Sequence, residues 1–161
     1  MWISSIGSSP EEKTGKLTAG FGASDEKIGP SSRSASRCTI LVDEPILLIK
    51  TAWGGKSINT DFRSPSGGPF EFRDDQIAKF KEQGKDVDQI KAEKAEATGH
   101  YYRLMVDHVK HVLGDIKRVY PLRRKGRLRT RLLVWFRGWN DMVDGGTYAD
   151  RAQPGGYDLY A

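Results

Sequence analysis

The stretch that decides the fold lies in the last third of the chain and reads Leu132-Leu133-Val134-Trp135-Phe136-Arg137-Gly138-Trp139-Asn140-Asp141. Its first half is an unbroken apolar run with valine and aromatic residues, which is typical of a strand buried on both faces. The run stops at Gly138, and small and polar residues follow at once. Ligands of open α/β sheets bind just beyond the carboxyl ends of such strands. The stretch therefore predicts a buried strand over 131–137 with a site directly after it.

A second segment has the same order of residue types. Pro45 precedes an apolar run over 46–51, which leads into Trp53-Gly54-Gly55-Lys56-Ser57. Between the two runs, residues 100–120 carry apolar side chains at steps of three and four, which is typical of an amphipathic helix, and Pro121 ends it. Strand, helix and strand in this order predict a β-α-β unit with parallel strands and hence an α/β fold.

The remaining segments carry weaker patterns. Residues 1–15 are serine-rich and poorly patterned, alternation in 16–23 favours a short edge strand, and 30–38 lack periodicity and indicate a linker. Residues 74–97 interleave lysine with acidic residues, which predicts a solvated helical insertion interrupted near Gly84.

Size and charge narrow the function classes. The chain has 161 residues, the size of one domain, and no apolar run approaches membrane-spanning length. Cys38 is the single cysteine, so no intrachain disulfide can form. The net charge of +5 depends on the six basic residues of 123–131, without which it would be −1. Because that run has no interleaved aromatic residues, a surface loop is favoured over a nucleic-acid contact.

The residues at the two strand ends are candidates for acyl-transfer chemistry. Such reactions need hydrogen-bond donors aimed at an oxygen that becomes negative in the transition state. Backbone N–H groups at Gly54 or Gly55 and the side-chain amide of Asn140 fit that role, although both glycines could be turn residues only. Asp141 could orient a substrate or cap the next helix, and Arg137 could bind an anionic group or reach solvent.

The sequence gives little support for a metal site or for a serine nucleophile. His100, His108 and His111 all lie on the predicted helix or at its start, and no ligand set is completed around them. We therefore expect solvated histidines, no metal and no cofactor. Ser8, Ser9 and Ser24 lie near glycines but follow no buried strand, which is the context that a nucleophilic serine requires. No Asp-x-x-His motif occurs in the chain.

The segments around both strand ends, taken together, resemble the sialate O-acetylesterase-type domain, a carbohydrate esterase of the SGNH (GDSL-like) hydrolase superfamily. The resemblance rests on 46–57, Asp61-Phe62-Arg63, the end of the helix at Tyr120-Pro121, and 135–141. It covers most of 16–161, as a partial domain. It implies a three-layer α/β/α, flavodoxin-like fold that hydrolyses acetyl esters on sugars with a serine nucleophile and a histidine base.

The resemblance also implies roles for single residues. Gly54 or Gly55 and Asn140 match the oxyanion hole, and Lys56, Arg137, Trp139 and Asp141 match positions near the substrate. The implied partner is an acetylated carbohydrate, with neither nucleic acid nor membrane, and the oligomeric state stays open. Relatives are often exported, whereas no signal peptide is visible here, so localisation is unknown.

This chain departs from the family pattern in several places. The serine block and the Asp-x-x-His block are missing, so we expect the chain alone to be inactive. Relatives carry glutamine where Arg137 stands, and residues 31–42 and 122–131 do not resemble the family. Our hypothesis is that both segments are frame-shifted readings, which the other frames of the coding DNA would test. The alternative function is a non-catalytic carbohydrate-binding module that stacks sugars on Trp53, Trp135, Trp139 and Tyr148.

Overall fold

The chain is a mixed α/β protein with a small sheet and several helices. The computed structural model describes residues 1–7, 9, 11–24, 26–41, 44–120, 133–135 and 140–141. Their order is β1 (Trp2–Gly7), β2 (Lys13–Lys16), α1 (Pro30–Leu41), β3 (Leu47–Ala52), α2 (Asp74–Glu82), α3 (Val87–Ala97), α4 (His100–Gly114) and α5 (Ile116–Val119). A 3₁₀ turn covers Pro65–Gly67. The chain divides into two compact units, Met1–Gly54 with Met105–Leu132, and Gly55–Leu104 with Leu133–Ala161.

The first unit is built around β1, the middle strand of a sheet ordered β2-β1-β3. β1 pairs antiparallel with β2, where Trp2 lies opposite Lys16, and parallel with β3, where Trp2 lies opposite Leu47. Ile3 and Ser4 are both 0% exposed. Because successive side chains of a strand point to opposite faces, both faces of β1 are covered at this point. The central strand thus lies in residues 1–15, where the sequence shows no pattern.

The predicted linker over 30–38 is wrong, because these residues form helix α1. Pro30 stands in its first turn, where a proline costs no hydrogen bond. The serines that follow give no apolar periodicity, so the helix left no pattern in the sequence. The strand expected in 16–23 is also misplaced, since β2 ends at Lys16.

The long amphipathic helix is confirmed with one interruption. α4 ends at Gly114, Asp115 departs from helical geometry at φ −135° and ψ 71°, and α5 follows. Val112 and Ile116 are buried as the spacing predicts, and Val119 is buried as well, whereas Leu113 is 45% exposed. The described helices include none that is long and apolar enough to cross a membrane.

The strand predicted over 131–137 does not form in its described part. Leu133, Val134 and Trp135 carry no strand pairing, and they are 79%, 67% and 45% exposed instead of buried. The ring of Trp135 packs edge-to-face on Phe62 at 5.6 Å between centroids. An apolar run becomes a buried strand only if a neighbouring strand pairs with it. In the described chain the parallel partner of β3 is β1.

In the second unit, α2 and α3 flank Gly84, where the charge pattern predicts a break. Gly84 has φ +65°, a left-handed conformation that glycine adopts at little cost. The Asp86 carboxylate accepts hydrogen bonds from the N–H groups of Asp88 and Gln89 and caps α3. The rings of Phe72 and Phe80 lie edge-to-face at 5.5 Å. Whether this hairpin is an insertion into a larger domain stays a prediction.

The pairing of β1 with β3 leads to a first prediction at Gly7. A Cβ added there would lie 2.1 Å from the carbonyl oxygen of Ala52 on β3. We expect Gly7→Ala to push the strands apart and to lower the free energy of unfolding by about 1–3 kcal/mol, measured by urea denaturation. Gly114→Ala is the control, because a Cβ there meets no described atom within 4 Å. A Gly7→Ala variant as stable as the wild type would contradict this strand pairing.

Candidate functional site

The loop after β3 is closed by its own side chains. The Asp61 carboxylate accepts hydrogen bonds from the backbone N–H of Ser57 at 2.8 Å and from its hydroxyl at 3.2 Å. The Ser57 oxygen in turn accepts from the N–H of Thr60 at 3.1 Å. Residues 57–61 thus form a single turn, named the 57–61 loop. Because its polar groups satisfy one another, this turn has a defined shape without any regular secondary structure.

Two hydrogen bonds from the start of α4 hold the 57–61 loop. The N–H groups of Gly99 and Tyr101 donate to the carbonyl oxygens of Thr60 and Asp61, at 2.7 and 3.0 Å. Gly99 has φ +71°, and a Cβ there would lie 2.7 Å from the Arg63 carbonyl oxygen. A glycine is therefore required at this close approach.

Arg63 fixes the stretch that follows the 57–61 loop. Its guanidinium donates to the Asn59 side-chain oxygen at 2.8 Å and to the carbonyl oxygens of Gly67 and Gly68 at 2.6 and 2.8 Å. Arginine suits this place because its five donors point in fixed directions. The loop and its flank are thus fastened together.

Asp141 docks on the 57–61 loop. Its carboxylate accepts from the N–H of Ile58 at 2.9 Å and from the N–H of Asn59 at 3.2 Å. Asp141 is only 3% exposed, so this carboxylate faces backbone donors rather than solvent. Asn140 and Asp141 have helical backbone. The residues that Asp141 would cap lie outside the described ones, so its capping role stays a prediction beside this long-range contact.

The docking of Asp141 brings Asn140 beside Gly55. The side-chain nitrogen of Asn140 lies 3.9 Å from the position that a Cβ of Gly55 would occupy, and Gly55 has φ +69°. A Cβ on Gly54 would meet no described atom within 4 Å. Of the two glycines proposed as donors, Gly55 is therefore the neighbour of the amide.

Lys56 places a positive charge next to Gly55 in the chain. Its ammonium lies 4.3 Å from the centre of the Tyr101 ring and 3.9 Å from an oxygen of Asp61. The hydrogen bond with Tyr101 raises the pKa of Lys56, and the charge of Asp61 adds to this effect. The side chain stays 29% exposed, so its charge can still reach a ligand. The two remaining candidates, Arg137 and Trp139, lie outside the described residues.

The first unit also contains a polar cluster that no pattern in the sequence predicts. The Ser4 hydroxyl donates to Glu12 at 2.6 Å and lies 2.9 Å from Nε2 of His108. Arg118 donates two hydrogen bonds to the Glu12 carboxylate, at 2.5 and 3.0 Å. His108 is 6% exposed, so the expectation of a solvated histidine is wrong. Its partners lie about a hundred residues away, and no local pattern announces them.

The direction of the protons excludes this cluster as a nucleophilic site. A serine nucleophile must give its proton to a histidine that accepts it. Here the Ser4 proton is directed to Glu12, so Nε2 of His108 donates to the serine oxygen. Ser4 is also 0% exposed and cannot meet a substrate. The cluster is therefore a structural network between β1 and α4.

Glu12 and His108 both have pKa values below their ordinary range, whereas the hydrogen bond with Glu12 raises the pKa of Arg118. Burial lowers the pKa of His108, and the attraction of Glu12 only partly opposes this. Burial alone would raise the pKa of Glu12, but the hydrogen bonds from Arg118 and Ser4 have the larger combined effect, so the pKa is lowered. The native network thus contains a neutral imidazole and a charged carboxylate.

Comparison with known proteins adds no relative. No family model, no curated protein and no solved structure matches the chain.

The network predicts that acid weakens the fold in two steps. Since the native pKa of His108 is below its ordinary 6.5, its contribution is complete above pH 6.5 and is lost as pH falls below that value. Glu12 adds a second loss below its ordinary 4.5. In urea unfolding between pH 7 and 5, we expect His108→Gln to show a flatter dependence of stability on pH than the wild type. The control His100→Gln changes an exposed histidine outside the network and should follow the wild-type curve.

Proposed function

We propose that this chain carries the oxyanion-binding part of a carbohydrate acetylesterase site of the sialate O-acetylesterase type, within a three-layer α/β/α domain. The observation that carries the proposal is the position of the Asn140 amide beside Gly55. The two lie 85 positions apart in the sequence, in the two segments whose pairing resembles the family. Lys56, which follows Gly55 in the chain, carries an ammonium that suits an oxygen-rich ligand.

Ester hydrolysis explains why these residue types would be placed together. Attack on an acetyl ester turns its carbonyl oxygen into an oxyanion, which prearranged N–H donors stabilise. A side-chain amide supplies one donor and a backbone N–H at a tight glycine turn supplies another. One such donor contributes about 3–4 kcal/mol to the transition state in known hydrolases. That gain requires donors that do not reorganise during the reaction.

Asp141 would supply this rigidity as a positioning residue. Its buried carboxylate accepts backbone hydrogen bonds from Ile58 and Asn59, and it leaves the amide of the preceding Asn140 available for a ligand. We therefore revise its role from contact with the substrate to orientation of Asn140. Direct substrate contacts of Lys56, Arg137 and Trp139 remain proposals from the resemblance.

Neither Ser57 nor Ser4 supports a role as the nucleophile of this half-site. The Ser57 hydroxyl is bound within the 57–61 loop, donating to Asp61 and accepting from Thr60. Ser4 and His108 form a buried network whose proton direction is opposite to that of a serine hydrolase. The chain on its own should therefore bind an acetylated sugar without hydrolysing it efficiently.

Binding of an O-acetylated sialic acid tests the proposed donors. We expect saturation-transfer NMR to show contact with the acetyl methyl group. Asn140→Ala and the nearly isosteric Asn140→Asp should each weaken binding about threefold to tenfold, since a single hydrogen bond contributes about 0.5–1.5 kcal/mol. Gln89→Ala on the exposed face of α3 is the control and should bind like the wild type. Unchanged affinity in both Asn140 variants would overturn the proposed role.

The same experiment separates the esterase reading from a carbohydrate-binding module. Trp135 is 45% exposed and could stack on a sugar ring, which is the observation that favours the module. A module would bind the deacetylated sugar equally well and lose that binding on Trp135→Ala. The esterase site would prefer the acetylated form and respond to Asn140.

Hydrolysis of p-nitrophenyl acetate tests the missing nucleophile. We expect no initial burst of p-nitrophenol and a turnover far below the roughly 1 s⁻¹ at which typical enzymes begin. Asn140→Ala should lower at most this slow background hydrolysis, because donors of an oxyanion hole can still stabilise attack by water. A burst that Asn140→Ala abolishes would show that this chain contains a complete site.

A further inference from the structure

Lys50 is a cation without a described counter-ion. It lies on β3 in a half-buried position, and its ammonium donates to the carbonyl oxygen of Phe21. No described carboxylate lies within ion-pair distance of it. Buried charges are costly in proteins unless they are paired. An ammonium has three donors, and this environment leaves two of them for another partner.

The ammonium lies beside a space that Gly29 leaves open. A Cβ on Gly29 would lie 3.4 Å from Nζ of Lys50, 3.5 Å from the Phe21 carbonyl oxygen and 3.5 Å from Oγ of Ser31. These three groups therefore surround the point where any other residue would carry a side chain. Gly29 immediately precedes α1, a helix of 12 residues.

Two hydroxyls in the first turn of α1 are buried and unpaired. Oγ of Ser31 and Oγ of Ser32 have no hydrogen-bond partner among the described residues. Such groups are rare in native proteins, where a ligand or an ordered water usually completes them. Ser31 is the hydroxyl that lies against the Gly29 space, on the same side as Lys50.

We propose that Lys50, Ser31 and the first turn of α1 bind a tetrahedral oxyanion, the phosphate group of a small molecule. The ammonium and the N-terminus of the helix both favour negative charge, and the Ser31 hydroxyl can donate a hydrogen bond to it. The Phe21 carbonyl is the one acceptor of the group, and Lys50 already donates to it. A water would satisfy a hydroxyl but leave the cation unpaired.

An anion would also offset the cost of burying Lys50. Burial lowers the pKa of this ammonium, which means that the surroundings disfavour its charged form. A bound phosphate would favour that form again. The site uses none of the residues proposed for ester chemistry, so the two proposals stand or fail separately.

Titration with inorganic phosphate tests the site directly. We expect calorimetry at constant ionic strength to detect binding by the wild type, and thermal unfolding to shift upward with phosphate. Lys50→Met should abolish binding, and Ser31→Ala should weaken it at least about tenfold, since hydrogen bonds to charged groups contribute about 1.5–3 kcal/mol. Lys16→Met, which removes an exposed lysine of β2, is the matched control and should bind normally.

Gly29→Ala keeps the test informative if Lys50→Met does not fold. It changes no charge but places a methyl group among the three polar groups, so binding should fall. Glycerol 2-phosphate distinguishes the source of the anion: a phosphomonoester site binds it, whereas a site for the free ion binds inorganic phosphate only, and either result supports the proposal. Absence of phosphate binding by the wild type, or wild-type affinity in both Lys50→Met and Gly29→Ala, would overturn it.

Discussion

The candidate site depends on one buried carboxylate. Asp141 is separated from Ile58 by more than eighty residues, yet its oxygens accept the backbone N–H groups of Ile58 and Asn59. A carboxylate that is 3% exposed would be strongly destabilising without such partners. The loop N–H groups would in turn be unsatisfied without it. These hydrogen bonds hold Asn140 and Asp141 against the 57–61 loop, and the contact of Asn140 with Gly55 follows from them.

Buried polar groups in the first unit need hydrogen-bond partners too, and only some of them have one among the described residues. Ser4 and His108 are buried, and each finds its partner in a network that ends at Glu12 and Arg118. Lys50 is half-buried and Oγ of Ser31 is buried, but no described carboxylate pairs with Lys50 and no described group bonds to that hydroxyl. Burial creates a demand for hydrogen bonds in both places. The protein supplies the hydrogen-bond partners of Ser4 and His108 itself, so that cluster is structural. The unpaired groups at Lys50 and Ser31 indicate a bound ligand instead.

The sequence was informative where a local pattern exists. The helix over 100–120 and the hairpin on either side of Gly84 follow from periodicity and charge, and β3 follows from its apolar run. β1 and α1 were not predictable in this way, because serine-rich segments carry no period. The run at 133–135 was read as a buried strand because composition alone does not reveal whether a pairing partner exists.

The chemistry was predictable only in part, for a related reason. Residue types and the family resemblance singled out Gly55 and Asn140, but the anchoring role of Asp141 needed the geometry of the 57–61 loop. The serine and histidine of the first unit show the converse case. Their side chains lie 2.9 Å apart, a distance at which a hydrolase would act, yet the proton of Ser4 is directed to Glu12. Proximity of the right residue types therefore identifies a reaction only when the acceptor of each proton is also known.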